Sequence, residues 1–160
     1  MTPEIIIDAY NLIYRASDLR KHLQQSLENA REQLLQKLIV FRQNKKIKIT
    51  VVFDGNRVGQ PSSVTRSGLQ IHYSIPPKNA DEIIKFLVRR RKNPRNITVV
   101  SSDNEILNFA TSRANIMKSE EFYQKYLQVE QEEDSENTKQ EMTEKELQNW
   151  LMIFNQAKNS

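Results

Sequence analysis

Three apolar, strand-like runs in this chain each lead into an aspartate. Residues 4–7 (Glu-Ile-Ile-Ile) run into Asp8, residues 47–53 into Asp54-Gly55, and residues 97–100 into Ser101-Ser102-Asp103. Short runs rich in Ile, Val and Thr, bounded by Pro, Gly, Asn or Asp, read as buried strands. A further run, Leu69, Ile71, Tyr73 and Ile75, alternates with mostly polar residues as a half-buried strand does, and Pro76-Pro77 stops it. Residues 115–117 read as a last short strand.

Helical stretches separate these runs. Leu23, Leu27, Ala30, Leu34, Leu38 and Phe41 recur at helical spacing, so residues 18–43 read as one long helix. Residues 80–91, 104–113 and 119–129 also read as helices, and 56–68 as a polar loop. Strands alternating with helices specify an α/β fold with a mostly parallel sheet. Residues 1–129 are expected to form this domain. An acidic linker (130–142) and an amphipathic C-terminal helix (143–160) follow, the helix opened by a Thr143–Glu146 capping box and striped with Leu147, Trp150, Leu151 and Phe154.

In open parallel sheets, ligands bind beyond the carboxyl ends of the strands. That rim is where Asp8, Asp54 and Asp103 are expected, and Asp81 lies in the first turn of a helix starting nearby. Each acid also has a plain structural reading. Asp103 and Asp81 can serve helix N-termini, through a Ser102–Glu105 box and an Asn79 cap, and Asp54-Gly55 is a common turn pair. Asp8 is the hardest to explain that way, because it ends a buried run and needs partners. Two carboxylates ~4 Å apart repel by ~4 kcal/mol at an effective dielectric of 20. A hard divalent cation removes that cost, and it can polarise a phosphoryl oxygen and activate water.

Composition narrows the chemistry. The chain has no cysteine and only two histidines, His22 and His72, so disulfides, thiol nucleophiles and Cys- or His-rich metal sites are excluded. Residues 1–118 hold 20 basic and 10 acidic side chains, and residues 119–160 hold 4 and 10. A basic body suits a polyanion. No apolar run approaches the ~20 residues of a membrane span, and the start lacks a basic leader, so no membrane partner and a cytoplasmic location are expected.

Ile5-Ile-Ile-Asp8-Ala-Tyr-Asn11-Leu-Ile13 resembles the opening strand of NYN domains, a PIN-like nuclease group. Val52-Phe-Asp54-Gly55, Ala80-Asp81-Glu82-Ile83 and Val99-Val-Ser-Ser-Asp103 follow in the order and spacing of its YacP-like branch. Ala9 stands where the family usually has Gly, and Ser101 where it often has Thr. The resemblance implies a three-layer α/β/α fold and a Mg²⁺- or Mn²⁺-dependent endoribonuclease leaving a 5′-phosphate and a 3′-hydroxyl. It implies metal-site roles for Asp8, Asp81 and Asp103, with Asp54 completing the site and Asn11 and Ser102 supporting. It also implies mRNA as substrate and the ribosome as a partner. A monomer is favoured.

Candidate RNA-binding cations are Arg15, Arg57 and Arg66 near the rim, and Arg89, Arg90 and Arg91 in the densest basic cluster, expected on the opposite edge. Tyr10 and Tyr14 could stack on an unpaired base or pack in the core. Three rival readings stay open: a non-catalytic RNA-binding module on the same fold, a receiver-like phospho-acceptor, and a scaffold acting through its last helix. The receiver reading needs a strand between Asp8 and Asp54, where 18–43 reads as helix.

Overall fold

β1 (Glu4–Asp8) is buried along its whole length, as three consecutive isoleucines require. Ile5 and Ile7 face one side of the sheet and Ile6 the other, which is the two-residue period of a strand with both faces covered. Each such side chain contributes roughly 1.5–3 kcal/mol on leaving water. The chain is seen here in a computed structural model that describes residues 2–55 and 62–128. The expected acidic linker and C-terminal helix lie outside those residues.

After β1 come α1 (Ala9–Arg15), α2 (Ser17–Leu23), α3 (Leu27–Arg42), β2 (Lys48–Phe53), β3 (Ser63–Arg66), β4 (Leu69–Tyr73) and α4 (Ala80–Arg90). β5 (Ile97–Val100), α5 (Asn104–Thr111), β6 (Asn115–Met117) and α6 (Ser119–Phe122) follow, the last running into a wider π turn, Tyr123–Leu127. The six strands lie in the order β3-β4-β2-β1-β5-β6. All neighbours are parallel except β3 and β4. One face packs on α1–α3 and the turn after α6, through Leu12, Leu34, Leu38 and Phe122. The other packs on α4 and α5, through Ile84, Val88 and Ile106. The α/β class and the mostly parallel sheet are as expected. Among the described residues no helix is long and apolar enough to cross a membrane.

Two expectations need correction. The helix over 18–43 is broken, because Ser26 adopts an extended backbone and its side chain accepts from Asn29 N to cap α3. A serine cap satisfies a free amide that continued helix would have used. The stripe hid the break, since Leu23 and Leu27 keep helical spacing across it, yet Leu27 is 43% exposed. The polar loop over 56–68 contains β3, joined to β4 by Ser67 and Gly68, both at positive φ (49° and 86°). Positive φ at both central residues is the two-residue hairpin signature, and a Cβ at Gly68 would lie 2.3 Å from the Arg42 guanidinium.

The ladders set the strand ends level. Asp8 is opposite Val52, Ile7 opposite Val100, and Phe53 opposite Tyr73. Asp8, Asp54, Ser74 and Ser101 therefore share one rim.

Candidate active site

Asp8 is the last residue of β1 and directly precedes α1. It is 8% exposed, and its Oδ2 accepts from Ser101 Oγ at 2.9 Å. Burial pushes its pKa up to about 6. The Ser101 hydroxyl and the Asn11 amide pull it down, while Asp103 and Asp81 push it further up.

Ser101 is the residue that sequence reasoning missed in favour of its neighbour. Its hydroxyl donates to Asp8 and accepts from Asp103 N at 3.0 Å, so one buried side chain joins two of the acids. Its register was the available signal: Val100 pairs with Ile7, which sets the next residue beside Asp8.

Asp103 caps α5, with Oδ1 accepting from Glu105 N at 2.8 Å. The expected cap was Ser102, which is engaged elsewhere. Its N donates to Asn11 Oδ1 at 2.8 Å, and its hydroxyl bonds the Glu120 carboxylate closely and accepts from Ser119 N. Asn11 Oδ1 also accepts from Ser119 Oγ at 2.8 Å. Asn11 thus fixes the β5–α5 turn against the start of α6. Glu120, unforeseen because nothing local links it to the rim, also takes Arg15 at 3.1 Å.

Asp81 lies in the first turn of α4, which Asn79 caps by accepting from Glu82 N at 3.0 Å. Asp81 Oδ1 is sealed from solvent with no hydrogen-bond partner among the described residues. Burial raises its pKa, Lys85 opposes, and Glu105, Asp103 and Glu82 add to the rise. Asp54 accepts at Oδ1 from Ser74 Oγ (2.9 Å) and from Ala80 N (3.3 Å). It therefore ties the ends of β2 and β4 to the start of α4, one residue before Asp81. Gly55, at φ +92°, donates to the same Ser74 hydroxyl.

Asp8, Asp81 and Asp103 thus stand within one another's electrostatic reach. Among the described residues, however, no three acidic or histidine side chains stand close enough to enclose one ion directly.

The basic residues separate. Arg66 pairs in register with Leu69, at the end of β4 away from the rim, and makes two bonds to Glu32 at 2.6 and 2.8 Å. Arg91 makes two bonds to buried Glu4 at the far end of β1, at 2.7 and 2.8 Å. Arg89 and Arg90 are exposed on α4 and lie over the Phe109 and Phe86 rings, at 5.2 and 5.4 Å. Arg57 lies outside the described residues. Tyr14 is 56% exposed, whereas Tyr10 packs edge-on against Phe53 at 5.7 Å.

A model of the YacP-like NYN domain matches residues 5–156. Two crystal structures of Rae1 (YacP) from Bacillus subtilis share the fold. A point mutant of it is 19% identical, with TM-score 0.67, over 96% of this chain and 92% of that one. The other structure is 20% identical, with TM-score 0.67, over 95% and 88%. No curated protein matches the chain.

Proposed function

The chain belongs to the YacP-like NYN domain family, a PIN-like nuclease group, and we propose on that premise that it is a divalent-metal-dependent endoribonuclease cutting single-stranded RNA. The observation that carries this reading is the pair of under-satisfied acids at the rim. Asp8 is buried with a raised pKa and two acids in its field, and Asp81 Oδ1 is sealed without a hydrogen-bond partner among the described residues. A carboxylate in that state either holds a proton or takes a cation.

The donor set suits Mg²⁺ or Mn²⁺, being all carboxylate and hydroxyl oxygen. Asp8, Asp81 and Asp103 would hold the ion, partly through water, since Mg²⁺ keeps several of its own waters. When bound, it supplies Lewis-acid activation of the scissile phosphate and of a water. The chain's own residues do the positioning. Ser101 holds Asp8 and the Asp103 backbone, Asp54 holds the start of the helix carrying Asp81, and Asn11 with Ser102 holds the β5–α5 turn.

Exposed Arg89 and Arg90, which have no carboxylate partner among the described residues, stand at the end of α4 away from the rim and would dock a flanking part of a large RNA rather than feed the site. Arg15, Arg66 and Arg91 are held by Glu120, Glu32 and Glu4, so their contribution to RNA binding is smaller. Arg57, following Asp54 in sequence, is assigned to the substrate strand. A monomer acting on mRNA in the cytoplasm, with the ribosome as a partner, completes the reading.

Incubating the full chain with a labelled single-stranded RNA and Mn²⁺ tests it. The expected result is internal cleavage, abolished by chelator and by Asp8→Asn. Uncut RNA, alone or on ribosomes, would reject the nuclease reading, and RNA binding unchanged by chelator and by Asp8→Asn would favour a non-catalytic RNA-binding module.

A further inference from the structure

Among the described residues, three buried ones carry formal charge: Glu4, Asp8 and Arg31. Glu4 has Arg91, and Asp8 belongs to the acidic rim. Arg31, on α3, is 7% exposed and has no carboxylate partner among the described residues. Its Nε donates to Tyr10 Oη at 2.7 Å. Its guanidinium lies 5.5, 5.4 and 5.7 Å from the ring centres of Tyr10, Phe53 and Tyr73.

Aromatic faces compensate a buried cation only in part. The rest of its charge is unanswered. Its terminal nitrogens are not sealed: among the described residues only Asp81 Oδ1 and Asn115 Oδ1 are buried polar side-chain atoms without a partner. Those nitrogens therefore still reach solvent.

The position of this cage matters. Phe53 and Tyr73 form the last rung of the β2–β4 ladder, stacked at 5.4 Å. Tyr10 follows Asp8 by two residues, and Asp54 follows Phe53 directly. The guanidinium thus lies beside the acidic rim, on its β4 side. The adjacent acid, Asp54, makes no ion pair with it among the described residues, and its Oδ1 serves Ser74 and Ala80. A planar guanidinium, held by one hydrogen bond and packed among rings, is preorganised for a bidentate oxyanion.

We propose that Arg31 is a substrate-binding residue that takes a backbone phosphate of the RNA strand lying across the rim. This assignment rests on the ribonuclease reading above. It gives the strand one cationic anchor on the β4 side, with the acids on the β1–β5 side.

The test compares the full chain with Arg31→Met, which keeps an unbranched stem, and with Arg31→Lys. The probe is a fluorescent, unstructured 12-nucleotide RNA. Affinity is measured in chelator between 50 and 200 mM KCl, and cleavage kinetics in Mn²⁺. Losing one phosphate contact on a single strand makes the slope of log K against log salt shallower by about 0.7. Arg31→Met is expected to show that change together with about tenfold weaker binding. Arg31→Lys is expected to keep the slope, because the charge stays, but to raise KM several-fold with kcat nearly unchanged, because fork and stacking are lost. A folded Arg31→Met with wild-type affinity and slope would overturn the assignment while leaving the nuclease reading intact. If Arg31→Met does not fold, an Arg31→Lys with wild-type KM overturns it equally. If the unmodified chain shows no salt-dependent affinity for RNA, the assignment falls, and if it also leaves RNA uncut in Mn²⁺, the nuclease reading falls with it.

Discussion

Strand β1 carries a buried acid at each end, and the two are answered in opposite ways. At its start, Glu4 takes two bonds from Arg91 and one from Thr50 Oγ1 at 2.7 Å. Burial works to raise its pKa, but Arg91, Thr50 and more distant Lys48 together bring it below the ordinary value. At its end, Asp8 is buried to a similar degree but has one serine hydroxyl, one backbone amide and two acids in its field. A satisfied charge of the first kind is structural, whereas one left short of a counter-charge is poised for a ligand. On the proposed function, the far edge of the sheet serves stability and the near edge chemistry.

Exchanging the function of the two ends is the strongest way to break that contrast. Asp8→Asn is expected to lower RNA cleavage by about 10³-fold, equivalent to about 4 kcal/mol. Glu4→Gln is expected to leave the rate within about threefold when assayed well below its melting temperature, since a difference of that size is under about 1 kcal/mol. Arg91→Ala is expected to reverse the pattern, costing about 3–5 kcal/mol of stability by stranding buried Glu4, read as a melting-temperature drop of about 10 °C.

The third test concerns stability against pH. Asp8 has a folded pKa of about 6, above the ~3.9 of an unfolded aspartate. The folded chain therefore holds the extra proton, and this group's contribution to stability falls as pH rises from about 4 to about 6. Glu4 has the opposite sign: its contribution is full above its unfolded pKa and is lost as pH falls through its lowered folded value. In chelator, Asp8→Asn is accordingly expected to be more stable than the unmodified chain at pH 7, by on the order of 1–3 kcal/mol. Near pH 4 the difference is expected to vanish. Denaturant melts at the two pH values check this, and a variant less stable at pH 7 would contradict it.

The smallest effect concerns the hydroxyl between the acids. Ser101→Ala is expected to weaken Mn²⁺ affinity about 10-fold, the lower end for a group that orients a ligand. Ser102→Ala is expected to act on the α6 contact instead, leaving Mn²⁺ affinity closer to wild type.

That pair of serines marks how far the sequence could be read. Apolar runs ending in Asp8 and Asp54, and the Ser-Ser-Asp103 turn, placed three acids at one edge before any coordinates, because strand parity and parallel pairing leave little freedom there. Which serine serves Asp8 follows only from register. β3 escaped notice because an exposed edge strand, Ser-Val-Thr-Arg, has no apolar face to display. Glu120 reaches Ser102 across 18 residues, and contacts of that range leave no local pattern. Arg31 was hidden next to Ala30 in the leucine stripe of α3, where a charged residue reads as solvent-facing until its aromatic neighbours from α1, β2 and β4 are known.

The central claim, that Asp8, Asp81 and Asp103 serve one shared cation, is tested most directly by calorimetric titration of Mn²⁺ into the full chain. The expected result is saturable binding that is lost in both Asp8→Asn and Asp81→Asn. Undiminished Mn²⁺ binding by both folded variants would contradict it.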